Sequence, residues 1–467
     1  MNKNIIMLTL AIFLTFLSAC TVSKVEVSIP TDAFPNEYRT NYLMTDSIDI
    51  GQLDWRSYFQ DECLIQLIDN ALTRNSDVLI ALQNIEISKL QLKRAQWRNI
   101  PNLQLDIKSS TDYPSEYNLL NIENKQNIED FQIDFGLNWE ADIWGKIKNQ
   151  KKVAIANYLQ SEEVKKLIQT TLIAQIAQCY YNLMILDNQV ALAYKNMEIN
   201  DDIKKTTNLQ FLAGKNTSLA VEQSEVQGLN VKKIITDLQL QIFLQENILS
   251  TLTGTFPSPQ QRQQFLENSR MSKNIQTGIP TILLAQRPDV KSAELDLEIA
   301  NAEVGIAQAA FYPSLTLNAN VGLQSFKMSD WFNIPASLFG IVAGGISQPI
   351  LQKRKIKTNH QISLANREKT VIKFRGVILN AVSEVSNALV QIDKQTEQQE
   401  ILAKQRFILE SNIEKTKLLF SSGQANYLEI LTVQNNLLNC DMDYNISKRK
   451  ELFARIELYR ALGGGWR

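Results

Sequence analysis

Histidine is nearly missing from this chain: the single copy, His360, sits in the polar run QKRKIKTNHQ. A lone, solvated imidazole gives a histidine-based metal site or general base nothing to work with. Neither charge sign is in excess, with 48 Lys+Arg against 49 Asp+Glu, so no field favours nucleic acid or an acidic partner. Cysteine is scarce too. Cys63, Cys179 and Cys440 are far apart in apolar or helical contexts, which reads as free thiols acting as small hydrophobes rather than disulfides. Clustered cysteine ligands, a glycine-rich phosphate loop and a nucleophile with its base are all missing, so no enzyme, metal or cofactor is expected. No segment reaches 18 consecutive apolar residues, which leaves no transmembrane helix.

Proline is unevenly spread. The eleven prolines leave 115–256 and 350–467 empty, and helices of unusual length fit there. Within the first window Val164, Ile168, Leu172, Ile176, Cys179, Leu183, Leu186 and Val190 recur at spacings of three and four. Val382, Val385, Leu389 and Ile392 do likewise in the second, the stripe of helices packed lengthwise. A helix over about 145–212 would extend roughly 100 Å at 1.5 Å per residue.

The first residues are a targeting segment. Lys3, the apolar stretch Ile5–Leu17 and the small residues that follow predict a secretion signal over 1–19. Leu17-Ser18-Ala19-Cys20 resembles a bacterial lipobox, which makes Cys20 the lipidation site and the membrane anchor.

The chain is also written twice. Residues 77–105 align with 289–317 without a gap at 10 identities in 29, among them Asp77/Asp289, Glu86/Glu298 and Pro101/Pro313. FLAGKNTSLAVEQSEV (211–226) then matches FSSGQANYLEILTVQN (420–435), and STLTGTF (250–256) matches RALGGGW (460–466). The expected organisation is a lipidated extended segment at 20–70, a first repeat at 71–257, a linker at 258–280 and a second repeat at 281–467. In each repeat a helix runs into a proline, two strands follow, and a very long helical region closes the unit. Gly214 and Gly423 mark turns between long helices at one far end.

The strands are expected near 102–110, 130–140, 314–325 and 337–348, about the length a tilted strand needs to cross a bilayer. Phe131, Ile133, Phe135, Leu137 and Trp139 alternate with Gln132, Asp134, Gly136, Asn138 and Glu140, so one face must meet water and the other lipid or a core. Four strands cannot close a barrel, and an open edge is forbidden in lipid, so several copies must share one. The fold class expected is mainly α with membrane β: three copies would give twelve strands and twelve long, coiled-coil-like helices, with the helices able to continue the tube. A periplasmic coiled-coil adaptor or scaffold lipoprotein is the rival. It accounts for the lipobox and the long helices but not for membrane-length strands in duplicate.

With the lipobox, the duplicated RPDV…AEVGIAQAAFYPSLTL, WEADIWGKIK (139–148), SGQANYLEILTVQNNLL (422–438) and LYRALGGGW in place, the chain resembles a TolC-family outer membrane factor. The similarity is to the lipoprotein branch with the OprM- and NodT-like efflux channels. It implies a homotrimer in outer-membrane lipid, its trimeric, twelve-stranded outer-membrane β-barrel continuous with a periplasmic α-barrel of the long helices, that docks a periplasmic adaptor (membrane fusion) protein and an inner-membrane pump, with no chemistry of its own. It also implies a closed periplasmic end lined just after the second glycine turn, at Leu428, Thr432 and Asn435. Relatives often carry aspartate and arginine at the latter two positions, so an ionic lock of that type is not carried over. Glu429 and Asp441 are candidates to line the pore instead, and Thr432 and Asn435 have a second reading as helix-packing residues.

Overall fold

The structure, a computed structural model, describes residues 53–113, 128–263 and 286–466. Cys20, the 1–19 signal, most of the 20–70 segment and most of the 258–280 linker lie outside the described residues. Where the 20–70 segment is described, it is largely helical rather than extended: α1 spans Trp55–Tyr58 and α2 spans Glu62–Arg74. Asp61 makes α2 possible by accepting from the backbone amides of Cys63 (2.9 Å) and Leu64 (3.3 Å). Leu64, Ile68 and Ala71 then fall on one stripe and are fully buried.

The remaining elements repeat in order. α3 (Ser76–Gln96), β1 (Asn102–Asp112), β2 (Ile128–Ala141), α4 (Lys146–Leu212) and α5 (Ser218–Leu252) form the first set. α6 (Pro288–Ala309), β3 (Ser314–Ser325), β4 (Leu338–Ser347), α7 (Lys355–Ser421) and α8 (Tyr427–Ala461) form the second. α4 and α7 each have 67 residues, and α5 and α8 each have 35. One hydrogen bond is written in both copies: Trp139 Nε1 donates to the Asn99 carbonyl (3.0 Å), and Gln348 Nε2 donates to the Phe311 carbonyl (2.9 Å). No described helix is long and apolar enough to cross a membrane.

The described residues fall into two compact units. The first gathers Glu86–Gln160 and Glu294–Lys373 and contains one antiparallel sheet in the order β1-β2-β3-β4. Register puts Leu103, Leu105 and Ile107 beside Leu137, Phe135 and Ile133, and these beside Ala319, Val321 and Leu323 on one face. The other face is polar across β1, β2 and β3. β4 departs from it, because Phe339, Ile341 and Ala343 stand opposite Gly322, Asn320 and Asn318 on the polar side. The outer edges of β1 and β4 have no strand partner among the described residues.

The second unit gathers residues up to Ile85, Ser161–Ala293 and Phe374 onward. Its core joins Ile176, Tyr180 and Leu183 of α4 to Leu249, Val385, Leu389 and Ile456, with α2 on top. Each such aliphatic side chain contributes about 1.5–3 kcal/mol as an upper figure. Polar bonds fix the N-terminal helices onto it: Tyr180 Oη donates to Asp61 Oδ2 (2.8 Å), and Tyr58 stacks on Tyr459 at 4.2 Å. Arg287 is buried at the start of α6. It donates to both Asp289 oxygens, to Glu384 and to the Ala461 carbonyl, all between 2.8 and 3.0 Å. The three described cysteines are free; Cys440 is buried, and burial pushes the half-buried Cys179 thiol up to about 11.

Candidate functional site: the wet sheet face and the helix-hairpin tips

In the first unit the sheet presents two surfaces of opposite chemistry. Across β1, β2 and β3 the polar rungs read Asn102–Asn138–Asn318, Gln104–Gly136–Asn320, Asp106–Asp134–Gly322 and Lys108–Gln132–Gln324. Asp106 faces Asp134 directly, a like-charge pair that destabilises a sheet unless the charges are otherwise satisfied. Glutamines supply the donors: Gln104 Nε2 donates to Asp106 and Gln132 Nε2 to Asp134, both at 2.8 Å. Gln324 Nε2 donates to Asp130 at 3.0 Å, and Lys146 pairs with Glu140 at 2.9 Å. On the reverse face Leu103, Leu105, Ile107, Phe135, Val321 and Val342 are exposed. A contiguous apolar face of this kind needs lipid or a partner.

In the second unit both helix hairpins turn through the same device. Gly214 has φ 71° and Gly423 has φ 78°, and an added Cβ at either would meet nothing within 4 Å. The requirement there is the left-handed backbone, not space. The amides that follow close the turn, Lys215 N to the Gln210 carbonyl and Gln424 N to the Leu419 carbonyl, both 2.8 Å. Thr217 then caps α5, and Asn426 caps α8.

The four residues proposed from sequence to line a closed end do not act alike. Leu428 is 63% exposed at the start of α8. Thr432 is exposed one turn on, its hydroxyl donating to the Leu428 carbonyl at 2.7 Å. Glu429 takes another part: it completes a capping box, accepting from Asn426 N while Asn426 Oδ1 accepts from Glu429 N, both at 3.0 Å. Asn435 is half-buried and accepts from Gln227 Nε2 of α5 at 2.6 Å, as a helix-packing residue would. Asp441, the other acidic candidate, has only 13% of its side chain exposed and faces Arg406 at 2.8 Å. Burial pushes its carboxyl up, and the Arg406 charge opposes that only partly.

The structure also joins the two copies through groups that periodicity does not single out. Gln210 Nε2 donates to the Phe420 carbonyl (2.7 Å), Asn188 to Asn445 (2.7 Å), and Gln434 to the carbonyl and side chain of Asn196. A buried amide on an otherwise apolar helix stripe is the sequence signal that would have found Gln434 and Asn445.

The family model for the outer membrane efflux protein matches residues 67–255 and 279–464, once per repeat. The cation efflux system protein CusC of Escherichia coli (strain K12) is 26% identical over 96% of this chain and 97% of its own length. The probable efflux pump outer membrane protein TtgC of Pseudomonas putida KT2440 is 26% identical over 91% of this chain and 88% of its own. Among solved structures, CusC superposes with a TM-score of 0.86 at 25% identity, covering 96% of this chain and 100% of that one. The open-state MtrE channel of Neisseria gonorrhoeae shares the fold, with a TM-score of 0.85 at 22% identity, covering 96% and 99%. With its two matched repeats and its sheet of one wet and one apolar face, the chain belongs to the outer membrane efflux protein family and is an outer membrane efflux channel, not a periplasmic scaffold.

Proposed function

We propose that three copies share one closed barrel, anchored in the outer membrane by acylated Cys20, and serve as the passive exit duct of a tripartite efflux system. One observation carries the reading: a four-stranded sheet, polar on one face across β1, β2 and β3 and apolar on the other, ends in two edges that have no strand partner among the described residues. Such edges cannot stand in lipid, and closure needs more strands than the four among the described residues. The carboxylates of Asp106, Asp130, Asp134 and Glu140 then face the water-filled lumen and favour cationic solutes over anionic ones. The relatives' names, a cation efflux protein among them, accord with that sign. Leu428 and Thr432 are the residues of α8 free to narrow the tip end, and opening follows docking of an adaptor protein and an inner-membrane pump. No residue in this reading performs bond chemistry.

The test is native mass spectrometry of protein extracted from outer membranes in mild detergent, followed by conductance of the Thr432→Asp variant in planar bilayers. A trimer carrying acyl mass on Cys20, with tip conductance altered by the new charge, is the expected result. A monomer, or a Cys20→Ala protein that leaves the membrane without detergent, refutes it.

A further inference from the structure

The chain as a whole is balanced in charge, but the end of the sheet from which the helices leave is not. β1 and β3 begin there and β2 and β4 end there, since Asn102 lies opposite Asn138, Ala141 opposite Leu315 and Ser314 opposite Ser347. The segments that turn at this level are 92–101, 141–153, 305–314 and 348–361. They carry eleven of the 48 Lys+Arg residues and one of the 49 Asp+Glu residues. That one acid, Asp142, is already engaged, accepting from the Ile147 and Lys148 amides at 2.9 and 2.8 Å. Among the described residues Lys146 pairs with Glu140, whereas the other ten cations are exposed and make no ion pair.

Lys93, Arg94 and Arg98 close the first α→β junction, and Lys148, Lys151 and Lys152 open α4. Lys353 and Arg354 form the β4→α7 turn, with Lys355 and Lys357 in the helix behind it. At 1.5 Å per residue the α4 and α7 cations lie within about 9 Å of their helix starts, close to the Debye length in physiological salt. Aromatic rings share the level: Trp144 Nε1 donates to the Pro313 carbonyl at 2.8 Å, and its ring stacks on Tyr312 at 4.6 Å. Ile350 and Leu351, 87% and 94% exposed, stand next to the basic turn. Amphipathic rings, uncovered aliphatics and long cationic side chains together match a membrane–water boundary, where stems lie on apolar surface and charged heads reach outward.

Local structure does not account for these cations. The first turn of a helix favours acids, yet neither α4 nor α7 has one there. Lys353 and Arg354 are held at φ 46° and 65°, where the corresponding turn of the first repeat uses Gly145 at 74°. Glycine takes that conformation at less cost, and such strain persists where something besides folding requires the side chain.

We propose that this basic belt binds the anionic headgroups of phospholipids in the periplasmic leaflet of the outer membrane. Charge complementarity, and the continuity of the belt with the apolar face of the sheet, select a lipid surface over a soluble anion. The proposal rests on the reading that the sheet crosses the bilayer, and it adds which lipids border it.

The full-length protein, reconstituted into phosphatidylcholine vesicles, provides the test. Quenching of its tryptophans by brominated phosphatidylglycerol is compared with quenching by brominated phosphatidylcholine at equal mole fraction. The anionic lipid should behave as about fivefold enriched at the protein, the ratio equivalent to about 1 kcal/mol for a cation near a membrane surface. That preference should collapse in about 1 M salt, where the Debye length is about 3 Å, and withstand inorganic phosphate added at constant ionic strength. Lys353→Gly with Arg354→Gly should weaken it while melting no lower than wild type. Lys148→Gln with Lys151→Gln and Lys152→Gln should weaken it as well. Equal quenching by the two lipids, or a preference that both variants keep, overturns the proposal. So does a preference that inorganic phosphate abolishes, or variants that change only the ion selectivity of the channel, which would put these cations on the lumen. Protein that never enters the vesicles overturns the membrane-spanning reading instead.

Discussion

Gly322 is the position in the sheet where one methyl group should do most damage. It pairs with Asp134 on β2 and Phe339 on β4, and a Cβ there would lie 2.1 Å from the Ile133 carbonyl oxygen and 2.6 Å from Asp134 Cα. Both obstacles are backbone, so no side chain can rotate away. A carbon needs about 3.3 Å from such an oxygen, which requires β2 and β3 to part by about 1 Å locally. Ladder bonds of about 2.9 Å would stretch beyond 3.5 Å. Losing two of them leaves buried groups unmade at about 1–3 kcal/mol each, and more in lipid, or roughly 4 kcal/mol per chain. Two other strand glycines calibrate the claim. At Gly136 the new Cβ would meet the Asn320 side-chain oxygen at 3.2 Å, which can turn aside. At Gly344 it would meet nothing within 4 Å, and alanine there should stabilise by about 0.5–1 kcal/mol. The assay is the melting temperature of the heat-modifiable, SDS-resistant species for the three alanine variants. The expected order is Gly344→Ala at or above wild type, Gly136→Ala near it, and Gly322→Ala far below or unassembled. A Gly322→Ala protein that melts with wild type, or equal losses at all three positions, would refute the close-approach reasoning.

Arg287→Met should cost about 3–5 kcal/mol, because it leaves the partly buried Asp289 without its cation, the Ala461 carbonyl without its side-chain donor and Glu384 with Arg460 alone; urea denaturation of the detergent-solubilised protein measures it. The same cluster has a pH signature. Burial alone would push the Asp289 carboxyl up, but Arg287 beside it holds it below its ordinary value. Its contribution is therefore present above the usual carboxylate range and lost as pH falls through the depressed value, a slope that should vanish in Arg287→Met. Asp441 has the opposite sign, since burial raises it. Stability should decline as pH rises from the ordinary carboxylate value through the raised one, and Asp441→Asn should flatten that limb in melting curves between about pH 4 and 7.

Much of this was readable before any coordinates. The strand limits follow from period-two alternation between Pro101 and Pro114 and after Pro313, and the hairpin turns from glycines at matching positions. Proline-free windows set the 67-residue helices. What escaped has physical causes. Asn426 and Glu429 carry the asparagine-x-x-glutamate spacing of a capping box, yet next to a glycine turn an exposed acid is as easily read as pore lining. α2 does carry a local signal, the Asp61 cap ahead of the Leu64, Ile68 and Ala71 stripe; only the Tyr180 bond that fixes Asp61, 119 residues away, lies outside any local window. β4 looks irregular because both of its faces are apolar, and only its pairing with β3 reveals which side meets the polar rungs.

The equal helix lengths of the two repeats restrict how the chain can change. One residue inserted in α4 turns everything beyond it by about 100° and advances it by about 1.5 Å. The cluster of Leu186, Ala193, Val231, Ile235 and Leu438 would then lose its facing partners. Insertions of about seven residues, made on both arms of a hairpin, come closest to restoring the phase, and matched tips require the same step in the other repeat. A viable length variant is thus four coordinated changes, whereas residue identity between the repeats has drifted to ten in 29 over the best-matched window. Between the two repeats of this molecule, helix length has been kept where residue identity has not.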